Sequence, residues 1–153
     1  MPKQSAGILL YRNINNKLEV FLIHPGGPFF KNKDEGAWSI PKGEFLDDED
    51  ALAAAKREFQ EETGQAIDGN FTRLSPVKQK SGKIVFAWAV EGDIDHEIIV
   101  SNLFEMEWPP GSGKKASFSE VDRAAWFGVD EAKIKINGAQ VAFIEELEDI
   151  YTS

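Results

Sequence analysis

The chain has 153 residues, 42% of them hydrophobic, with four Trp and eleven Phe, which suits one well-filled domain and excludes a disordered chain. Seventeen Lys and Arg against twenty-six Asp and Glu leave a net charge of −9, which argues against a nucleic-acid polymer as partner, since such binding needs a basic face. There is no cysteine for disulfides or thiolate metal sites, and no apolar run approaches the roughly 20 residues that span a bilayer.

In chain order, Ser5 to Tyr11 and Leu18 to Ile23 are predicted strands joined by a turn over Asn13 to Lys17. His24 to Pro28 breaks the second strand, Phe29 to Gly36 is a loop, and Trp38 to Gly43 forms a short strand and a turn. A helix follows from about Asp48 to Thr63. Asp47 or Asp48 is placed to cap it, acids follow in the first turn, and Gly64 stops it. Its apolar stripe is Leu52, Ala55 and Phe59. Phe71 to Gln79 reads as a strand weakened by Pro76, Lys80 to Lys83 as a hairpin turn, and Ile84 to Val90 as an alternating strand. Glu97 to Glu107 is predicted as another strand and Gly111 to Lys115 as a basic loop. Ala124 to Val129 is a short strand, Asp130 to Lys135 begins a helix, and Gln140 to Tyr151 is a closing helix. Strands on both sides of a central helix, with a second helix at the end, predict a mixed sheet between helices in one domain over residues 1–153.

The most informative stretch runs from Gly43 to Gly64 and has the pattern G-x5-E-x7-R-E-U-x-E-E-x-G, where U is the apolar Phe59. Glu58, Glu61 and Glu62 stand three and four residues apart, so they share one helical face beside the buried stripe. Ala51 and Ala54 lie on the same side, leaving room for a bulky group. Carboxylates gathered this way repel one another unless a cation is held between them, and their hard oxygens favour Mg²⁺, with Mn²⁺ as second choice. Zinc is disfavoured, because His24 and His96 are far apart in sequence and read as ordinary surface or strand-end residues.

The pattern resembles the Nudix box of hydrolases that cut nucleoside diphosphates linked to another group. It departs only at the apolar residue that usually closes the box, where this chain has Gln65. The strand Ser5 to Tyr11, the segment Trp38 to Glu44 and the segment Glu120 to Phe127 resemble the same family. The run Trp38-Ser39-Ile40-Pro41-Lys42-Gly43-Glu44 is similar to the box approach of enzymes acting on dinucleoside polyphosphates and diphosphoinositol phosphates.

The resemblance implies an α/β/α sandwich with a central mixed sheet, and a hydrolase that uses water to split a diphosphate linkage. By the same resemblance Glu58, Glu61 and Glu62 would be metal ligands, joined by the Gly43 carbonyl, while Arg57 would steady one of the carboxylates. Glu61 is the first candidate for the general base. Glu105, Glu107 and Glu120 lie further out, and Glu49 is read either as a partner of Arg57 or as a group one step removed from the metal. Lys42, Lys80 and Lys83, with Lys78 beside them, are candidates to meet a polyphosphate. Phe29, Phe30, Trp88, Phe104 and Trp108 are candidates to stack on a base. Dinucleoside polyphosphates and nucleoside triphosphates lead the substrate expectations. A diphosphoinositol phosphate hydrolase, or a module that binds a nucleotide without cleaving it, stands as the alternative. The partner expected is a small nucleotide or polyphosphate, with oligomeric state left open. The first residues, Met1 to Ser5, show no signal-peptide layout, so a cytoplasmic protein is expected.

Overall fold

The computed structural model describes residues 3–152, so the reading of the N-terminus falls partly on Met1 and Pro2, outside the described residues. Strand β1 (Gln4–Ile14) turns through Asn15 and Asn16, with φ of 52° and 65°, into β2 (Lys17–Pro25). Two consecutive left-handed residues make a tight hairpin turn, and asparagine tolerates that conformation better than other side-chain-bearing residues. The strands therefore extend further toward the turn than the sequence pattern indicates, pairing from Tyr11↔Val20 to Ile14↔Lys17.

Beyond Val20, β2 leaves β1, while its other edge pairs with β9 (Val121–Gly128) from Glu19↔Gly128 to Pro25↔Val121. The opened edge of β1 is occupied by a strap over residues 38–44. The strap exchanges hydrogen bonds between Ser39 and Ile23 on the β2 side, at 2.9 and 3.0 Å. On the β1 side it accepts one from the Ile8 N–H at the Pro41 carbonyl, 3.1 Å. It ends as β3 (Lys42–Glu44), antiparallel to Ser5–Gly7 of β1. The other edge of β1 runs parallel to β6 (Ile84–Glu91) from Gln4↔Ile84 to Tyr11↔Glu91. The strands β4 (Thr72–Arg73) and β5 (Val77–Lys78) both pair antiparallel with β6. Here the expected continuous strand is split, as proline removes a ladder donor at position 76. The result is a seven-stranded mixed sheet.

Both faces of β6 are buried, since its residues alternate between two cores. Trp88 and Val90 face a cluster with Ile8, Leu10, Phe21, Ala54, Ala55 and Phe59. Val85, Ala87 and Ala89 face a second cluster with Leu9, Trp38, Ile40, Phe143, Ile144 and Leu147. Helix α1 (Ala51–Thr63) covers the first face. The second is covered by α2 (Val129–Lys135), a short 3-10 turn at Gly138–Gln140, and α3 (Val141–Thr152). The architecture is an α/β/α sandwich around a mixed sheet.

Between β6 and β9 the expected strand over Glu97–Glu107 forms only at β7 (Leu103–Glu107), and the basic loop after it leads into an unanticipated strand, β8 (Lys115–Ser119). These two make a separate two-stranded hairpin off the main sheet. Among the described residues no helix is long and apolar enough to cross a membrane.

Candidate functional site

Helix α1 begins one turn later than its acidic approach implies. Asp50, not Asp47 or Asp48, is the cap, accepting from the Ala53 N–H at 2.9 Å, so no acid lies in the first turn. Asp47 instead accepts from the Gln4 amide at 2.7 Å. At the far end Gly64 has φ of 76°, and its N–H closes onto the Gln60 carbonyl, a left-handed stop that suits glycine. Phe59, Ala54 and Ala55 turn into the core, and the small Ala54 is buried rather than facing open space. This rotation sets Glu58 and Glu62 against the end of the strap.

There Gly43 meets Glu58. A Cβ at position 43 would lie 2.0 Å from Glu58 Oε2, so glycine is required for the carboxylate to rest over the strand. One residue earlier, the Lys42 N–H donates to Glu62 Oε1 at 2.5 Å. Burial pushes the Glu62 carboxyl up to about 8, its hydrogen bond and ionic attraction to Lys42 oppose that, and the charges of Glu58 and Glu120 add to it. The Glu58 carboxyl is also raised, first by burial. The Arg57 hydrogen bond opposes that shift, while Glu61 and Glu120 reinforce it.

Arg57 lies along the rim. It hydrogen-bonds Glu49 Oε2, donates from Nη2 to Glu58 Oε1 at 3.1 Å, and holds Nε 3.8 Å from Glu61 Oε1. Glu49 is fixed in turn by the Leu46 N–H at 3.1 Å, and these two hydrogen bonds hold its carboxyl below the usual range. Glu61 is the most solvent-facing of the helix glutamates, with 43% of its side chain exposed against 16% for Glu58. Among the described residues no three His, Asp or Glu side chains stand close enough together to hold an ion as they are. The reason is visible in their partners: Glu58 is turned toward Arg57, and Glu62 toward the Lys42 amide. The donors are hard oxygens, and the cradle at Gly43 would be filled by any side chain. A donor set of this kind fits a divalent cation of the magnesium class.

The lysines separate. The Lys42 ammonium is lowered mainly by burial and then by Lys83, with Glu62, Glu44 and Glu58 opposing. Lys83 ion-pairs with Glu44 at 3.2 Å, beside the strap. Lys78 and Lys80 line a different cavity of about 780 Å³, with Gly36, Asn137 and Gly138. Glu107 is occupied by the Gly111 N–H at 2.6 Å, and Trp88 is a core residue. His96 is exposed, but His24 is fully buried, bonded to Asp122 at 2.9 Å and to the Lys33 carbonyl at 2.6 Å, so it is not a surface residue.

One participant escapes sequence reasoning. Gln140, buried at the end of the 3-10 turn before α3, accepts from the Ile40 N–H at 3.1 Å and donates to the Ser39 hydroxyl at 3.1 Å, anchoring the strap from behind. It carries no local signal, because it is brought in by tertiary folding. Glu120, an outlying candidate by sequence, is close enough for its charge to bear on both Glu58 and Glu62.

The NUDIX domain family model matches residues 1–147. The chain belongs to the Nudix family. Solved structures agree on the fold of this Nudix domain. An Ap4A hydrolase of C. elegans, in a binary complex, is 19% identical, covers 98% of each chain and superposes with a TM-score of 0.65. The NUDIX domain of Shewanella oneidensis NrtR, complexed with ADP ribose, is 15% identical with a TM-score of 0.67, over 99% of this chain and 89% of that one. A mutT/nudix family protein of Listeria innocua is 18% identical with a TM-score of 0.64, over 99% and 96%. No curated protein matches the sequence.

Proposed function

We propose that this Nudix domain is a divalent-metal-dependent hydrolase that splits a diphosphate linkage in a nucleotide derivative by water attack. The observation that carries this reading is the meeting of Glu58 and Glu62 with residues 42 and 43 of the strap, where partly buried carboxylates share one strand end. Glu58 and Glu62, with Glu61 and the Gly43 carbonyl, would hold Mg²⁺, or Mn²⁺ in its place. When bound, the cation supplies charge neutralisation for the anhydride oxygens. Arg57 holds Glu58 and Glu49 in register, and Glu61, exposed at the rim, would take the proton of the attacking water. Glu120 is the second choice for that base. Lys42 and Lys83, beside the end of the strap, would meet a substrate phosphate, and Lys80 would serve only a longer polyphosphate reaching the next cavity.

Dinucleoside polyphosphates lead the substrate list, supported by the likeness to the C. elegans Ap4A hydrolase, with nucleoside triphosphates next. Diphosphoinositol phosphates are disfavoured by the net charge of −9. The chain is proposed to act as one domain in the cytoplasm, consistent with its lack of cysteine. A second reading is nucleotide binding without cleavage, and the likeness to the Shewanella domain complexed with ADP ribose supports its binding half. One panel decides between them: dinucleoside polyphosphates, triphosphates, ADP-ribose and nucleotide sugars, with Mg²⁺ or with EDTA, for wild type and Glu62→Gln. Metal-dependent products that vanish in the variant support hydrolysis. Tight nucleotide binding with no product from any compound supports the second reading.

A further inference from the structure

On the face of the sheet that α2 covers, opposite α1 and its acids, lies a concave surface to which the hydrolytic reading gives no role. It is a cavity of about 450 Å³ between the loop after β2, the middle of β9 and helix α2. Lys31, Lys33, Arg123 and Lys135 rim it, and Trp38 and Phe127 form its floor. Four cations around one hollow run against the chain's net charge of −9. The acids of the same lining, Asp34 and Glu131, are both engaged with Lys135. Asp34 hydrogen-bonds its ammonium and also accepts from the Trp38 indole at 2.8 Å, while the charge of Glu131 bears on it. The other three cations lack such an answer. The Lys31 side chain has no hydrogen bond or ion pair among the described residues. Lys33 meets the Phe30 ring at 5.5 Å, and Arg123 lies 5.4 Å over the Trp38 ring with Asp122 no nearer than 3.9 Å.

The walls are tied together by the protein itself. The Gly36 and Trp38 N–H groups donate to the Ile134 and Lys135 carbonyls at 3.1 and 3.0 Å, stitching the loop to the end of α2. Beneath the loop, the buried His24 donates from Nε2 to the Lys33 carbonyl at 2.6 Å. The Lys135 hydrogen bond, and then that of Trp38, holds the Asp34 carboxyl below its usual range, and the Arg123 charge reaches it as well. Asp34 is thus occupied, and the excess positive charge faces the hollow. Trp38 is 5% exposed and Phe127 9%, so little ring face is open for a base to stack on. Recognition here rests on charge, which suits a compact multivalent anion.

We propose that this cleft is a binding site for a compact anion of the diphosphate class, held by Lys31, Lys33 and Arg123 beside the Asp34–Lys135 pair. The bound anion joins the loop, β9 and α2, three elements that otherwise meet around unanswered positive charge. Free pyrophosphate and a nucleoside diphosphate share this chemistry, and the covered floor favours the free anion. The site lies on the other face of the sheet from Glu58 and Glu62, so it stands whether or not those acids serve hydrolysis.

The test needs no turnover. The full chain, freed of divalent metal on a chelating resin and kept in about 0.1 M potassium chloride, is titrated with inorganic pyrophosphate, following backbone and indole N–H signals by NMR. Saturable shifts should appear at the Trp38 indole and at the Lys33, Arg123 and Lys135 amides. Orthophosphate should bind at least about tenfold more weakly, and adenosine diphosphate no more tightly than pyrophosphate. Arg123→Ala should weaken pyrophosphate by about tenfold or more, and Lys31→Ala by about threefold or more. Lys80→Ala, in the other cavity, should change nothing. Lys31 is exposed, so its variant probes the site even where Arg123→Ala does not fold. Shifts that never saturate, shifts confined to Lys42 and Gly43 or to the Lys78–Asn137 cavity, or undiminished affinity in the Arg123 and Lys31 variants would overturn the site. Adenosine diphosphate binding about tenfold more tightly than pyrophosphate would overturn its assignment to a compact anion. Hydrolysis is read separately, as metal-dependent product, so either conclusion can fail while the other stands.

Discussion

The backbone N–H of Lys42 and the Oε1 atom of Glu62 lie 2.5 Å apart, joining the end of the strap to the last full turn of α1. The contact holds a carboxyl that burial has pushed up to about 8. Between its ordinary value near 4.5 and that raised value, the folded protein binds a proton that the unfolded chain has released. This group's contribution to stability is therefore complete below about pH 4.5 and is lost as pH rises toward 8. Glu62→Gln keeps the acceptor for the Lys42 N–H and removes the titration. In EDTA at pH 7 the variant should be more stable than wild type by up to about 3 kcal/mol, and denaturant midpoints from pH 4 to 9 would show the difference vanishing at the acid end. Equal midpoints across the range would contradict the burial of an ionisable Glu62.

Adding Mg²⁺ should reverse that pH trend in wild type alone. A cation needs the deprotonated carboxylate, so metal-induced stabilisation grows as pH rises from 6 to 8. Calorimetric titration at three pH values checks this. Affinity that is flat with pH, or that persists in Glu62→Gln, counts against the proposed ligand set.

Gly43→Ala places a methyl group 2.0 Å from Glu58 Oε2, and the clashing atom is the end of a flexible side chain. The fold should survive with a loss of about 1–2 kcal/mol, but the Glu58 carboxylate must leave its seat. Turnover should fall by about two orders of magnitude while far-ultraviolet dichroism is unchanged. Near-normal kcat in this variant would show that Glu58 does not act from where it rests.

Arg57→Lys keeps the charge and loses the fork that spans Glu49 and Glu58. Exposed ion pairs contribute at most about 1 kcal/mol, so stability should barely change. A drop in kcat of about tenfold or more, with little change in KM, is the outcome expected of a residue that orients a carboxylate. A KM effect alone would assign Arg57 to substrate contact instead.

Gln140→Ala removes the acceptor for the buried Ile40 N–H and a partner of Ser39. An unsatisfied buried donor costs about 1–3 kcal/mol. Amide exchange should quicken at Ile40 and Lys42 ahead of the rest of the sheet. Uniform quickening would show only a general loss of stability.

Much of this was legible in the chain because it is local. The helix, its stop at Gly64 and the shared face of Glu58 and Glu62 follow from spacing along one element. The cap was misplaced by two to three residues because Asp47, Asp48 and Asp50 are equivalent in composition, and only folding gives Asp47 to Gln4. The expected long strand over Glu97–Glu107 shortens to Leu103–Glu107, since its apolar residues Ile98 and Val100 find no sheet partner and remain exposed. Gln140 was hidden, and Glu120 could be named only as one of several outlying acids, for a different reason. Their importance comes from interactions with residues roughly 60 to 100 positions away, and no window along the sequence contains both ends.

The β7–β8 hairpin forms its own small sheet, while the strap is woven into the central one. The two elements thus hang from separate supports. Exchanging the tip between Glu107 and Lys115 should leave the meeting of Glu58 and Glu62 with Gly43 and Lys42 undisturbed, making this hairpin the natural graft point for redesign.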